Sequence, residues 1–133
     1  KILAKNPKDN VEFLHTDIDS LLSCKSEKFD YAVLTYVIHE VPPAERVDLL
    51  NKIAKISNKI IIGEYLVPRP HGIRKLLNTI VEYLAGTDHF NSFRDFVLNN
   101  GVTGLAQKAG FKITYEERDT ISANHIAQLE KLI

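Results

Sequence analysis

The sequence lacks methionine and tryptophan, and it contains a single cysteine among its 133 residues. That residue, Cys24, has no partner for an internal disulfide, which is typical of proteins from a reducing compartment. We therefore expect a cytoplasmic protein. Because the chain begins with Lys1 and has no methionine at all, we also expect it to be a fragment of a longer protein.

Neither sign of charge is in excess, because 17 Lys and Arg residues balance 17 Asp and Glu residues. Nucleic-acid binding usually requires a basic surface, so we predict no nucleic-acid partner. No apolar run reaches the roughly 20 residues that span a bilayer, so we also predict no membrane segment. With 44% apolar and 26% charged residues, the composition is that of one globular domain.

Short apolar runs predict strands at residues 11–15, 29–35, 59–65 and 111–116. Residues 120–129 predict a final strand with a frayed tail. The Ala-Val-Leu centre of the second run indicates burial on both faces, as in a parallel sheet.

Helical spacing of apolar residues separates these runs. One helix follows Pro42 and Pro43, another covers residues 73–84, a third contains three phenylalanines, and a fourth ends at Gly110. This alternation predicts an α/β fold with a mostly parallel sheet and helices on both faces. Ligands bind such sheets beyond the carboxyl ends of the strands, so the residues directly after each strand are the main candidates for a ligand-binding site.

The most specific stretch of the sequence is FDYAVLTYVIHEVPPAERVDLLNKIAKISNKIIIGEYLVP, residues 29–68. It resembles the fourth strand, the following helix and the fifth strand of class I S-adenosylmethionine-dependent methyltransferases. Upstream, VEFLHTDID resembles the third strand of that family, which ends in Asp. Downstream, GLAQKAGFKIT resembles the helix and sixth strand near the end of the fold. The four motifs occur in the family's order and cover nearly the whole chain.

The resemblance implies a Rossmann-like methyltransferase fold, of which residues 1–133 form the C-terminal part of a single domain. Residues 68–100 would form helices that cover the substrate. The first two strands, with the glycine-rich loop and the acid that binds the ribose, would be missing, so we expect the fragment alone to be inactive. Residues 29–35 would then present an exposed apolar edge, which invites a homo-oligomer, a strand swap or pairing with further residues.

The resemblance also implies S-adenosylmethionine as the cofactor. Asp17 would accept from the adenine amino group, and Ile18 would lie against the adenine face. Thr35 and Tyr36 would lie beside the methionyl end, where the ring of Tyr36 would attract the sulfonium. Purely structural roles stay open for two of these residues, since Asp17 could cap the following helix and Tyr36 could pack in the core.

His39 and His89 are the candidate catalytic residues, because histidine titrates near neutrality and can act as a general base. The alternatives are a backbone-bonded His39 at a helix start and a His89 on a surface loop. Phe93 and Phe96 have the spacing of core residues, although they would also suit an apolar pocket. We predict no metal site, and methyl transfer does not require one.

Our functional hypothesis is methyl transfer from S-adenosylmethionine to a small-molecule substrate. One alternative is a non-catalytic, methyltransferase-like assembly module that binds a partner through residues 29–35 or 73–84. Another is a nucleotide-binding domain of an oxidoreductase. The His-Glu pair after the second predicted strand, and a last strand expected to be antiparallel, count against that alternative.

Overall fold

The computed structural model describes residues 11–24, 27–68 and 87–132. Within these ranges the chain forms four helices and four strands. The elements in chain order are α1 (Ile18–Cys24), β1 (Phe29–Thr35), α2 (Arg46–Ile56), β2 (Ser57–Tyr65), α3 (Thr87–Leu98), α4 (Gly101–Ala109), β3 (Phe111–Asp119) and β4 (Asn124–Lys131).

The four strands form one mixed sheet in the order β1-β2-β4-β3. Strands β1 and β2 are parallel, whereas β4 runs antiparallel to both β2 and β3. Two of the three pairings are therefore antiparallel, and the expectation of a mostly parallel sheet is wrong. The cause is the turn at residues 120–123, which reverses the chain after β3 and inserts β4 between β3 and β2.

One face of the sheet carries the hydrophobic core. Side chains alternate between the two faces of a strand, and Ile60, Ile62, Ala127 and Leu129 point toward the helices. Helices α2 and α4 pack against each other and against β2. The other main members of this core are Leu50, Ile53, Phe96, Val102, Leu105, Ala106 and Phe111.

The opposite face is exposed within the part of the chain that the structure describes. Tyr31, Val33 and Ile126 lie on that face and are 51%, 65% and 43% exposed. The described helices therefore pack on one face only, which differs from the expectation of helices on both faces. The predicted burial of β1 on both faces is also wrong, because only Ala32 and Leu34 pack against the core.

Strand β1 forms one edge of the sheet in the described ranges. Its exposed side chains include Phe29, Tyr31 and Val33. The edge is therefore apolar and exposed among these residues, as predicted, while the identity of whatever covers it stays a prediction.

The strand predicted at residues 11–15 is wrong. Residues 11–17 have no regular secondary structure, and Phe13 and Leu14 are exposed. A strand requires a neighbour that satisfies its backbone hydrogen bonds, and the described sheet has no strand beside this segment. The apolar composition of residues 11–15 does not show whether such a neighbouring strand is present.

Most other predicted elements are confirmed. Strand β1 has the predicted bounds, and α4 ends at Gly110, whose φ of 72° suits a glycine cap. The final strand predicted within residues 120–129 is confirmed as β4, which begins at Asn124 and ends at Lys131. The predicted helix over residues 73–84 lies outside the described residues, as does much of the predicted substrate cover. No helix in the described ranges is long and apolar enough to cross a membrane.

Candidate active site

The candidate site lies where the parallel strands β1 and β2 end. Thr35 is paired with Gly63, and the N–H of Tyr36 donates to the Gly63 carbonyl at 2.8 Å. A Cβ on Gly63 would lie 3.1 Å from Thr35 Cγ2, so glycine permits this close approach. The chain leaving β1 is thereby held across the end of β2.

Glu64 anchors the loop after β1. It follows Ile60 and Ile62 on the buried side of β2, and its side chain is fully buried. Its Oε1 accepts from the backbone N–H groups of Ile38 and His39 at 2.8 and 3.3 Å. Its Oε2 lies 2.7 Å from His39 Nδ1. An ionised carboxylate only accepts hydrogen bonds, so it pairs with the tautomer of the imidazole that carries its proton on Nδ1 and leaves Nε2 as the acceptor.

Glu40 bridges the two predicted catalytic histidines. Its Oε1 lies 3.3 Å from His89 Nε2 and 4.0 Å from His39 Nε2. The two imidazole centroids are 6.3 Å apart in an edge-on arrangement. His39 is buried, whereas His89 and Glu40 are partly exposed. The fold therefore brings His39 and His89 together from two separate segments, at the mouth of one site.

Aromatic rings surround His39. The ring of Tyr65 lies 5.1 Å from His39 and 5.2 Å from Tyr36, between centroids. Phe93 lies 5.4 Å from Tyr65 and 5.8 Å from His39, edge-on in both cases. These rings therefore shield one side of the His39 imidazole from water.

Tyr36 lies at the edge of this aromatic group and is 40% exposed. Its hydroxyl forms a short hydrogen bond with Asn124 Oδ1 at the start of β4. Burial, followed by the charge of Glu64, raises the pKa of Tyr36, so the hydroxyl stays protonated near neutrality. Core packing does not describe this residue, which presents part of its ring to the site.

Arg46 closes the site from the side of α2. The residue is 4% exposed, and its guanidinium donates to the loop after β1 and to α3. Burial lowers the pKa of Arg46, while the nearby charge of Asp95 opposes that shift. Asp95 Oδ1 accepts from Nη1 at 2.8 Å.

Asp17 and Ile18 lie at the start of α1. The N–H of Ser20 donates to Asp17 Oδ1 at 2.7 Å, which identifies Asp17 as a helix cap. This bond, above all, lowers the pKa of Asp17. Ile18 is half-buried against the core. Within the described residues, no hydrogen bond joins Asp17 to the histidines, and its role toward a cofactor stays a prediction.

Arg46, Tyr65 and Asn124 were not among the site residues predicted from the sequence. A signal for Arg46 was present, because it shares one helical face with Leu50 and Ile53, at spacings of four and seven. A charged residue on an apolar face indicates a buried partner. Tyr65 and Asn124 are paired across β2 and β4, a register that the sequence does not reveal.

A separate cavity of about 520 Å³ opens between α2, α3 and α4. Arg46, Asp95 and Phe96 contribute to its wall, whereas His39 and His89 do not. In the described ranges, no three His, Cys, Asp or Glu side chains are arranged to hold a metal ion.

Comparison with solved structures finds proteins whose fold this chain resembles in part. The mitomycin 7-O-methyltransferase MmcR matches 98% of this chain with a TM-score of 0.66 and 15% identity. TnmH matches 84% with a TM-score of 0.59 and 16% identity. OxaC matches 80% with a TM-score of 0.56 and 14% identity. No protein-family model and no curated protein sequence matches the chain.

The matched regions cover only 37%, 33% and 26% of the MmcR, TnmH and OxaC chains. The chain thus spans little more than a third of the length of these proteins. At such low identity the likeness concerns the fold alone. The four-stranded mixed sheet and its helices resemble part of a methyltransferase fold.

Proposed function

We propose that this chain is part of an S-adenosylmethionine-dependent methyltransferase that acts on a small molecule, with His39 as the general base. The observation that carries the proposal is the buried bond of 2.7 Å between Glu64 Oε2 and His39 Nδ1, at the carboxyl end of the parallel strands. A carboxylate that holds Nδ1 orients the ring so that Nε2 can accept a proton. The fold likeness to MmcR supports the same function.

The residues at this end of the sheet fit a cofactor that carries a positive sulfonium. The ring of Tyr36, which is 40% exposed, favours a nearby cation. OxaC, which shares the fold, was solved with sinefungin and meleagrin. We expect Thr35 and Tyr36 to hold the methionyl end, and Asp17 and Ile18 to contact the adenine.

S-adenosylmethionine supplies an activated methyl group, so the protein mainly aligns the acceptor and excludes water. His39 Nε2 would take the proton that the acceptor atom loses when it is methylated. Glu64 stabilises the imidazolium that forms. The rings of Tyr65 and Phe93 exclude water from His39, and His89 and Glu40 line the side from which the acceptor enters.

Calorimetric titration of S-adenosylhomocysteine tests the cofactor assignment. The titration uses this chain and the full-length natural protein side by side, with Asp17→Ala and Asp19→Ala variants of each protein that binds. We expect the full-length protein to bind, and Asp17→Ala to weaken binding while Asp19→Ala does not. If neither protein binds at about 1 mM ligand, any affinity is weaker than about −4 kcal/mol, and the proposal is wrong.

The exposed apolar edge of β1 favours a second candidate, a non-catalytic module that assembles through this strand. Phe29, Tyr31 and Val33 are the side chains that such an assembly would bury. The titration separates the two functions, because an assembly module needs no cofactor. Failure to bind S-adenosylhomocysteine, together with a stable complex through β1, would support the module.

A further inference from the structure

Arg46 connects the two segments that carry the histidines. Its Nε donates to the carbonyl oxygens of Ile38 and Val41, at 3.1 and 2.9 Å. Its Nη2 donates to the carbonyls of His39 and Ser92, at 3.3 and 2.5 Å. One guanidinium therefore holds the loop after β1 and helix α3 at the same time.

The backbone N–H groups and the backbone carbonyls of Ile38 and His39 both form hydrogen bonds with buried side chains. Glu64 accepts from the N–H groups of these two residues, and Arg46 donates to their two carbonyls. A buried anion and a buried cation thus fix the backbone that carries the His39 ring. Either partner alone would leave one set of polar backbone groups without its buried partner.

The contacts with α3 extend this arrangement to His89. Ser92 lies three residues after His89, less than one helical turn away. Asp95 lies about one further turn along and binds Nη1. Because a helical turn is rigid, a guanidinium that anchors Ser92 and Asp95 also sets the position of His89 relative to His39.

Stability alone does not account well for a buried arginine at this position. Burial lowers the pKa of Arg46, which shows that desolvation opposes its charge. Buried ion pairs often contribute little net stability compared with apolar residues of similar volume. The planar fork of Arg46, with donors in fixed directions, is instead suited to holding several acceptors in one geometry.

We propose that Arg46 is a positioning residue, which fixes the separation of His39 and His89 across Glu40. The inference rests on the proposed function for its catalytic consequence, whereas the geometric role stands independently. In this proposal Arg46 contacts neither the acceptor nor the cofactor. It acts through the backbone of His39 and through α3.

The test compares Arg46→Met and Arg46→Lys in the full chain. The first readout is the nuclear Overhauser contact between the imidazole protons of His39 and His89, which needs neither cofactor nor turnover. We expect both variants to lose this contact, because lysine keeps the charge but cannot reach acceptors on two segments. Denaturant unfolding establishes that each variant is folded before its spectrum is interpreted.

Asn99→Ala is the matched control. Asn99 donates to the carbonyl and Oδ2 of Asp95, so its loss leaves the Arg46 contacts in place, and the contact between the rings should persist. If Arg46→Met does not fold, Asp95→Ala removes the ion pair with α3, together with the side-chain bond from Asn99 that the Asn99→Ala control also removes, and should weaken the ring contact. Retention of the full contact in Asp95→Ala and in every folded Arg46 variant would overturn the proposal, as would restoration by lysine.

The second readout applies to the full-length protein once methyl transfer has been detected. A misplaced base should lower kcat roughly 10- to 100-fold and leave the KM for the cofactor unchanged. A fall in kcat accompanied by a rise of similar size in the KM for the cofactor would indicate a general structural defect and overturn the positioning role. Absence of methyl transfer in the unaltered protein would reject the proposed function, and the ring contact would still decide the role of Arg46.

Discussion

The carboxyl ends of β1 and β2 differ sharply from the segment at residues 11–24. In the first region, buried His39, Glu64 and Arg46 are joined by hydrogen bonds to backbone and side chains. In the second, Asp17 and the preceding residues are exposed, and the main bond of Asp17 is a helix cap. The proposed proton-accepting half of the site is therefore formed within this chain, whereas the proposed adenine-binding half is not enclosed by the described residues.

The largest effect should come from Glu64→Ala, which leaves two backbone N–H groups and His39 without their buried acceptor. We expect a loss of about 3–5 kcal/mol in the free energy of unfolding, measured with urea. Glu117→Ala removes an exposed acid of β3 and should change stability by less than about 0.5 kcal/mol. If Glu64→Ala lowers the free energy of unfolding by less than about 1 kcal/mol, its effect is that of an ordinary substitution. Glu64 would then not distinguish the ends of β1 and β2 from the exposed segment at residues 11–24.

Val33→Lys tests whether β1, the exposed edge strand of the described sheet, pairs with a second copy of the chain. If β1 pairs with a second copy, a lysine at this exposed position should reduce self-association about tenfold, as measured by sedimentation equilibrium. Leu98→Lys is the control, because Leu98 is similarly exposed but lies at the end of α3. Equal behaviour of the two variants would show that β1 is not the contact surface.

A smaller, pH-dependent effect is expected at His125, which is buried in β4. Burial lowers its pKa below 6.5, although the bond to Glu116 opposes the shift. The neutral ring therefore favours folding above pH 6.5, and stability should decrease as the pH falls below that value. Urea unfolding between about pH 7 and pH 5 should show this decrease, and His125→Gln should reduce it. An identical pH dependence in the variant would exclude His125 as its source.

The smallest effect should come from Asp17, in the exposed region. The bond from Ser20 lowers the pKa of Asp17 below 3.8, so the ionised cap favours folding above that pH, and its contribution is lost as the pH falls through the lowered value. We expect Asp17→Ala to shift the urea midpoint slightly at about pH 7 and not at about pH 2. A shift of the same size at both values would mean that the cap does not act through its charge.

The sequence predicted local elements better than their arrangement. Strand β1 and the stop at Gly110 depend on short-range pattern and were predicted correctly. The strand at residues 11–15 was not, because its formation depends on a neighbour rather than on its own composition. The antiparallel direction of the last strand was predicted correctly. Its place between β2 and β3, which makes the pairing mostly antiparallel, was not, since that place depends on which strands meet in space.

The candidate site shows the same limit. His39 and His89 were recognisable as chemically capable residues, but their shared contact with Glu40 joins segments about 50 residues apart. The role of Arg46 depends on five acceptors that lie on two segments. The position of Arg46 on the apolar face of α2 indicates from the sequence alone that the residue is buried. The sequence does not identify the groups that Arg46 binds.

The most direct test of the central claim is the rate of methyl transfer from labelled S-adenosylmethionine by the full-length natural protein and its His39→Gln variant, with a panel of small-molecule acceptors. We predict that the variant loses about 10²–10⁴-fold in kcat, while its affinity for S-adenosylhomocysteine is unchanged. An undiminished rate in His39→Gln, or the absence of methyl transfer in the unaltered protein, would contradict the assignment of His39 as the general base of a methyltransferase.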